Sequence, residues 1–199
     1  MKRIHSKDDI VQIGLDIILS KGFTATGVDA ILKKANVPKG SFYNFFSSKE
    51  EFGLAIIDMY VEKFGESFDS IFNDESLPPL ERVRKSFESS IGRFEDNDCS
   101  KGCLIGNLSL ELSDQYERIR QRLEQSLQGW TKSLSGLLLQ AQKEKSIPTD
   151  LDPEMLAESL ISSFEGALLR SKVKKSSEPL KNFIFLHFGR FLVQKEEVR

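Results

Sequence analysis

Cysteine is scarce in this chain, and that scarcity excludes a fold stapled by disulfides. The two cysteines, Cys99 and Cys103, are predicted to be thiols in a reducing compartment. Histidine is as rare, with His5 and His187 only, so a cysteine-dependent enzyme lacks a well-placed base. A metal site made of Cys99, Cys103 and His187 lacks the dense ligand spacing of zinc sites. We therefore predict no enzyme activity, no metal and no cofactor.

Long apolar runs are also missing, and none of the runs present reaches the length that spans a bilayer. The first residues contain no apolar signal-peptide segment either. These absences predict a cytoplasmic protein with no membrane partner. Proline is limited to six residues at five places, which leaves long stretches open to uninterrupted helices. With 39% hydrophobic and 29% charged residues, the chain has the composition of a soluble globular protein.

Helical periodicity runs through the whole chain and predicts an all-α fold with nine helices. Ser6 is expected to cap the first helix and Gly22 to end it. Thr26 is expected to cap the second helix, Asn36 to end it, and a third helix to begin near Pro38. Six further helices are expected to start near residues 48, 79, 102, 114, 153 and 177. Asp152 is expected to cap the eighth helix, and the ninth is expected to run to about residue 194. These boundaries predict a domain of three short helices over residues 1–47 and a larger helical domain over residues 48–199.

Charge is divided unevenly along the chain, although the formal net charge is only −2. Residues 1–50 carry eight lysines and arginines against five acidic residues. The remaining residues carry 20 basic and 25 acidic groups. A basic N-terminal end on an acidic body indicates a protein that contacts nucleic acid with one end only.

The start of the third predicted helix concentrates groups that suit DNA. A helix in the major groove presents its N-terminal residues to base edges and its free N–H groups to phosphates. Gly40 has no side chain and admits the duplex backbone, and Asn44 is suited to a base edge or a phosphate. Phe42 and either Phe45 or Phe46 are expected to turn inward. The predicted DNA contacts here are Lys39, Gly40, Ser41, Tyr43, Asn44 and, at the start of the fourth helix, Lys49.

The run from residue 22 to residue 49 resembles the helix-turn-helix of the TetR family of bacterial repressors. The matching positions are Gly22-Phe23, Thr26, Val28, Ile31, Ala35, Val37, Lys39-Gly40, Phe42-Tyr43, Phe45-Phe46 and Ser48-Lys49. The resemblance implies a repressor of a pseudo-palindromic operator in double-stranded DNA, released by an inducer. It makes residues 1–47 the helix-turn-helix DNA-binding domain and residues 48–199 the regulatory and dimerisation domain of a TetR-like fold. It also adds Thr26 to the DNA-contacting residues. Pro38 and Asn44 stand where the family often has serine and histidine, and both are expected to alter which operator is read.

Reading a palindrome requires two DNA-binding helices related by two-fold symmetry. The TetR resemblance implies a homodimer that joins the last two helices of each chain into a four-helix bundle. Large apolar residues are abundant on these helices, and Gly166 allows close approach. The predicted interface consists of Leu156, Leu160, Phe164 and Leu168 on the eighth helix and Phe183, Leu186, Phe188 and Phe191 on the ninth.

Cys103 is the candidate sensor, because it is expected in the first turn of the sixth helix. The positive end of the helix dipole favours a thiolate, so the pKa of Cys103 is expected to fall. The structural alternative is an inert buried cysteine. The segment GCLIGNLSLE, together with residues 171–180, resembles the NemR-type and AcuR-like branch of the TetR family. That resemblance implies that Cys103 senses electrophiles or oxidants, assisted by Lys172.

Alternatives remain for the regulatory end of the chain. AcuR-like members of the branch respond to acrylate-type small molecules, so a non-covalent inducer is the alternative to a reactive one. Cys99 is either a resolving thiol for an oxidised Cys103 or a bystander. A purely structural helical adaptor leaves the basic N-terminal end unexplained. The candidates for lining a ligand pocket, which equally suit an ordinary core, are Phe94, Tyr116, Trp130 and Phe164.

Overall fold

A computed structural model of the protein describes residues 6–193, with the backbone alone for Lys39 and Ser41. Within residues 6–193 the chain has nine α-helices and no strand, which confirms the predicted all-α class. The elements are α1 (Lys7–Lys21), α2 (Val28–Ala35), α3 (Lys39–Phe45), α4 (Lys49–Phe72), α5 (Pro79–Asp96), α6 (Leu104–Leu112), α7 (Glu117–Lys143), α8 (Pro153–Lys174), α9 (Glu178–Leu186) and a π-helical turn (His187–Phe191). We call α1–α3 the head.

Several helix ends follow from local sequence. The Ser6 hydroxyl oxygen accepts an N–H group of the first turn of α1 at 3.1 Å, and Gly22 ends that helix with a φ of 84°. Asn36 ends α2 in the left-handed conformation, with φ 54° and ψ 44°. Asp152 caps α8 by accepting two N–H groups at 2.9 and 3.0 Å. The predictions at these four positions are confirmed.

Three helix ends differ from the prediction. The N-cap of α2 is Gly27, because the Thr26 hydroxyl turns back and donates to the Gly22 carbonyl at 2.6 Å. Cys103 is the N-cap of α6 and therefore precedes its first turn. The last helix leaves α-helical geometry at His187, where a π-helical turn begins.

By packing, the chain divides into two units. The first contains the chain up to Gly65 together with Cys103–Ser126, and the second contains Glu66–Gly102 and the chain from Leu127 onward. The first unit therefore holds the head, most of α4, all of α6 and the start of α7. The functional boundary predicted near residue 47 stays a prediction. Packing adds that α6 folds together with the head.

An aromatic cluster forms the centre of the first unit. Phe42 on α3 and Phe46, the residue that ends this helix, lie with their ring centroids 5.2 and 5.0 Å from that of Phe52 on α4. All three side chains are at most 1% exposed, whereas Phe45 is 36% exposed. Phe46, directly after α3, is therefore the second inward aromatic residue, and Phe45 is not. Because α3 has only seven residues, burial of these rings and not intrinsic helix propensity keeps it folded.

Gly14→Ala is expected to lower the free energy of unfolding of the first unit by about 1–3 kcal/mol. A Cβ built at Gly14 lies 2.3 Å from Cζ of Phe52 and 3.1 Å from Cδ1 of Ile56. This collision outweighs the gain of about 1 kcal/mol that alanine brings to a helix interior. Chemical denaturation measures the change.

Gly92→Ala is the matched control for this substitution. Gly92 lies inside α5, and nothing lies within 4 Å of a Cβ built there. Helix propensity then acts alone, and the free energy of unfolding is expected to rise by about 0.5–1 kcal/mol. Stabilisation by both substitutions would contradict the close packing of Gly14 on Phe52.

Phenylalanines from α5, α8, α9 and the π-helical turn form the centre of the second unit. The Phe87 ring centroid lies 5.0 Å from that of Phe164 and 5.1 Å from that of Phe183. Phe188 closes the cluster at 6.0 Å from Phe87. The cluster holds α8 and α9 against α5. Three of its four members are side chains that the sequence assigned to a dimer interface.

Candidate DNA-binding surface and sensor site

Helix α3 turns one face to the core and the other to solvent. Phe42 and Phe46 are buried, whereas Tyr43 is 55% exposed. Gly40 and Asn44 are exposed on the same side as Tyr43. The first N–H groups of a helix have no partner within it and are free to bind phosphate. The start of α3 is thus an exposed surface suited to phosphates and base edges.

Two side chains that were predicted to contact DNA, Lys49 and Thr26, donate hydrogen bonds to backbone carbonyls of the first unit. Lys49 Nζ donates to the Phe23 carbonyl at 2.7 Å and lies 4.5 Å from the centre of the Phe23 ring. Burial lowers the pKa of Lys49, and the Glu111 carboxylate opposes that shift. Thr26 is 1% exposed, and its hydroxyl donates to Gly22. Both side chains thus hold the loop between α1 and α2, and their contact with DNA stays a prediction.

Helices α8 and α9 each have a buried face and an exposed one. Leu160, Phe164, Leu168, Phe183 and Phe188 are at most 8% exposed within the single chain. These five side chains are already buried without a partner chain. Their burial argues against these five positions, and the dimer interface itself stays a prediction.

A different stripe of α8 faces solvent. Leu169 is 54% exposed and Val173 is 72% exposed. Spacing that alternates between four and three residues is typical of a helix that pairs with another helix. On the last helix, Leu186 and Phe191 are exposed as their predicted interface role requires, and Leu156 is half-buried. The exposed members of the α8 stripe are Met155, Ser159, Ser162, Gly166, Leu169 and Val173.

Cys103 is placed where negative charge on sulfur is stabilised. Its sulfur accepts the Gly106 N–H at 3.5 Å, and the side chain is the N-cap of α6. The positive end of the α6 dipole acts in the same direction as this N–H. Cys103 is 8% exposed, and its thiol forms no disulfide. A group added to this sulfur would weaken the cap and would need space that the buried site does not offer.

Family models match both ends of the chain. A model described as bacterial regulatory proteins, tetR family, matches residues 10–56, and one described as tetracyclin repressor-like, C-terminal domain, matches residues 79–185. The chain is 34% identical to the HTH-type transcriptional repressor DhaR of Mycobacterium sp. strain GP1, over 100% of this chain and 98% of DhaR. The chain belongs to the TetR family.

Two more TetR-family proteins come from the predicted branch. The transcriptional regulator AcuR of Cereibacter sphaeroides is 37% identical over 94% of this chain and 85% of AcuR. The crystal structure of Escherichia coli NemR in its reduced form matches with a TM-score of 0.85 at 28% identity, covering 96% of this chain and 98% of that one. The predicted family and branch are confirmed. All three relatives are transcriptional regulators, which agrees with the prediction that the chain is not an enzyme.

The side chains predicted to line a ligand pocket of this TetR-family chain all take part in packing. In the first unit, Tyr116 stands edge-on to Phe23 with ring centroids 6.1 Å apart. In the second unit, Phe94 is 4% exposed, Phe164 belongs to the aromatic cluster and Trp130 is half-buried. Their contact with a ligand stays a prediction.

A groove in the second unit was not predicted from the sequence. Its volume is about 610 Å³. Residues from the end of α4, the following loop, α5 and α7 meet there, so no local pattern reveals it. Arg82 is fixed at its edge, with Nε donating to the Leu77 carbonyl at 2.8 Å. The lining consists of Asp69, Phe72, Asn73, Glu75, Arg82, Ser133, Gly136, Leu137 and Gln140.

The loop before Cys103 has a strained backbone that sequence reasoning also missed. Each non-glycine residue in the left-handed region costs about 1–2 kcal/mol. Of the residues in this loop, only the glycine is of a type for which a positive φ would be predicted from sequence. Strain of this kind is often stored next to functional sites. The residues with positive φ are Asp98 (53°), Cys99 (51°), Lys101 (60°) and Gly102 (84°).

Within residues 6–193, no helix is both long and apolar enough to cross a bilayer. No three histidine, cysteine, aspartate or glutamate side chains in that range are grouped as metal ligands.

Proposed function

We propose that this TetR-family chain is a homodimeric transcriptional repressor that leaves its operator when an electrophile or oxidant reacts with Cys103. One observation carries the proposal. Cys103 caps α6, and α6 packs in the same unit as the head. The DNA partner is a pseudo-palindromic operator in double-stranded DNA, read by α3 of both protomers. Action on chromosomal DNA places the protein in the cytoplasm.

The relatives support this proposal. DhaR and NemR are both named transcriptional repressors. The NemR crystal structure is that of a reduced form, which is compatible with a redox-active cysteine in this branch. By resemblance Lys172 assists Cys103. Lys172 lies half-buried in the last turn of α8, and its role stays part of the proposal.

The exposed stripe of α8 and the apolar end of the last helix support dimerisation. Leu169, Phe185 and Phe191 are 54%, 57% and 62% exposed. Apolar surface of this extent on two neighbouring helices favours a helical partner. A second copy of the chain, presenting the same faces, is the occupant that palindrome reading requires.

The chemistry begins at the Cys103 sulfur. The thiol loses its proton to solvent, and the thiolate adds to an activated carbon–carbon double bond. The π electrons of that bond move to the neighbouring carbon, which takes up a proton from solvent. The modified sulfur accepts the Gly106 N–H less well, and a lost N-cap costs about 0.5–2 kcal/mol. Because the side chain is 8% exposed, the added group forces α6 to shift. A two-state coupling of this kind changes ligand affinity by about 5–150-fold.

N-Ethylmaleimide is expected to lower DNA affinity in a Cys99→Ser background by about 5–150-fold. The probe is a duplex that the wild-type protein selects from a randomised library, which we call the selected duplex. Cys103→Ser in the same background is expected to keep its affinity, because serine is a good N-cap and has no thiol. Fluorescence anisotropy at fixed salt measures affinity, and mass spectrometry verifies the single adduct.

A Cys103 adduct that leaves the affinity for the selected duplex unchanged would show that the covalent proposal is wrong. The non-covalent inducer would then be the remaining explanation of regulation. A Cys103→Ser variant that still responds to the reagent would lead to the same conclusion.

A further inference from the structure

Glu111, near the C-terminal end of α6, binds the loop that joins α1 to α2. Its two carboxylate oxygens accept the Phe23 N–H at 3.0 Å and the Thr24 N–H at 2.6 Å. These bonds link positions 88 and 87 residues apart in the chain. Two adjacent N–H groups on one carboxylate form a compact anion site, and such charge-assisted bonds are stronger than neutral ones.

Gly22 makes room for this carboxylate. Its φ is 84°, which disfavours any residue with a side chain. A Cβ built there would lie 3.2 and 3.3 Å from the two Glu111 oxygens. Backbone conformation and close approach therefore both require glycine at the position that also ends α1.

Lys49 holds the same loop from the start of α4. Its ammonium donates to the Phe23 carbonyl at 2.7 Å. One residue of the loop thus gives its N–H to α6 and its carbonyl to α4. We call Glu111, Lys49 and the loop residues Gly22–Thr24 the clamp.

The carboxylate of the clamp stays charged at neutral pH. Burial alone would raise the pKa of Glu111, but the backbone N–H groups of Thr24 and Phe23, with the Lys49 charge, bring it below the ordinary value. The Phe23 and Thr24 N–H groups belong to the loop that leads into α2, and both donate to Glu111 near the end of α6. A shift of α6 therefore moves the acceptor on which this loop depends.

We propose that Glu111 is a positioning residue that transmits the state of α6 to the DNA-binding head. This inference rests on the proposed function in one respect, that Cys103 is the point where α6 is perturbed. Cys103 and Glu111 lie at opposite ends of α6, separated by about 12 Å of helix axis. When α6 shifts at its capped end, the carboxylate moves with it, and the loop pulls α2 and α3 out of register with the groove. Without the carboxylate, α6 moves and the head stays where it is.

A double-mutant cycle tests this without any inducer. Cys103→Trp introduces bulk at the buried end of α6, and Glu111→Gln removes the charge of the clamp while preserving its shape. Cys103→Trp is expected to lower affinity for the selected duplex about tenfold when Glu111 is present, and less than about threefold in the Glu111→Gln chain. Fluorescence anisotropy at fixed salt measures all four affinities. Cys103→Met, a milder substitution, serves if Cys103→Trp fails to fold.

Glu117→Gln is the matched control. It also removes a glutamate charge in the first unit, but Glu117 pairs only a few residues away on its own helix, with Arg120 at 2.7 Å. The tenfold effect of Cys103→Trp is expected to persist in this background. A merely structural role for Glu111 predicts that its substitution and Cys103→Trp act additively on affinity. Additivity, including no effect of Cys103→Trp in either background, would overturn the proposal.

Two further readouts separate this inference from the covalent proposal. Amide exchange of Phe23 and Thr24 is expected to accelerate in Glu111→Gln, and unchanged exchange would overturn the clamp. If N-ethylmaleimide leaves affinity unchanged while the cycle is non-additive, covalent sensing fails and the role of Glu111 stands. If the reagent lowers affinity equally with Glu111 and with glutamine, sensing stands and the role of Glu111 fails.

Discussion

Leu169→Glu is expected to convert the dimer into monomers and to remove nearly all binding to the selected duplex. Leu169 is 54% exposed and lies within the exposed stripe of α8. A two-fold interface brings each substituted carboxylate close to its copy in the partner, where neither is solvated well. Each head then binds a half-site alone, and about 10²–10⁴-fold of avidity is lost. Light scattering measures the mass, and anisotropy measures the affinity.

The control for this prediction is Leu139→Glu on α7. Leu139 is 43% exposed and lies outside the stripe. This variant is expected to stay dimeric with unchanged affinity. A Leu169→Glu protein that remains a dimer would contradict the placement of the interface on this face of α8.

Gly40→Asp is expected to lower affinity for the selected duplex on the order of 100-fold without destabilising the protein. Gly40 lies in the first turn of α3, is exposed, and has nothing within 4 Å of a built Cβ. An acidic side chain there repels phosphate. The same charge interacts favourably with the helix dipole, worth about 0.3–1 kcal/mol, so thermal stability is expected to hold or rise.

Gly40→Ala separates charge from shape at this position. It adds one methyl group and no charge, so any loss of affinity measures how closely the duplex backbone approaches α3. Its loss is expected to be smaller than that of Gly40→Asp. Full affinity in the Gly40→Asp protein would exclude the start of α3 as the DNA-binding surface.

Local sequence signals predicted most helix ends and the character of α3. Ser6, Asn36 and Asp152 act within one turn of their helices, so their effect depends on neighbours along the chain. Alternation of inward and outward side chains on α3 follows from its period, with Phe42 in and Tyr43 out. Thr26 is the exception among the predicted caps, because its hydroxyl donates to the carbonyl of the residue four positions earlier and does not cap α2.

Most of the α8 side chains predicted for the dimer interface lie on the face that is buried within the chain, for a physical reason. A spacing of three and four residues marks an apolar face but does not say what covers it. Helix α8 carries two such faces, and the one with larger side chains was assigned to the partner. Phe87 on α5 and Phe183 on α9 cover that face within the chain, through their ring contacts with Phe164.

The functions of Lys49 and Glu111 were beyond any local pattern. A lysine at the start of a helix after the recognition helix suggests a phosphate contact. Only the fold reveals that its ammonium reaches a carbonyl 26 residues earlier in the chain. Glu111 is the last residue of the segment that resembles the NemR-type branch, but the two N–H groups that it binds lie in the loop between α1 and α2.

By itself, the sequence determined the helical class, the TetR family and the helix that we propose to read DNA. These depend on caps, periodicity and motif residues that lie within one or two turns of each other. Tertiary structure alone decided which apolar face of α8 remains exposed, and that α6 holds the head through Glu111. Both outcomes depend on which segments far apart in the chain pack together. Because the hydrophobic effect is non-directional, the spacing of apolar residues on one helix does not specify which surface will cover them.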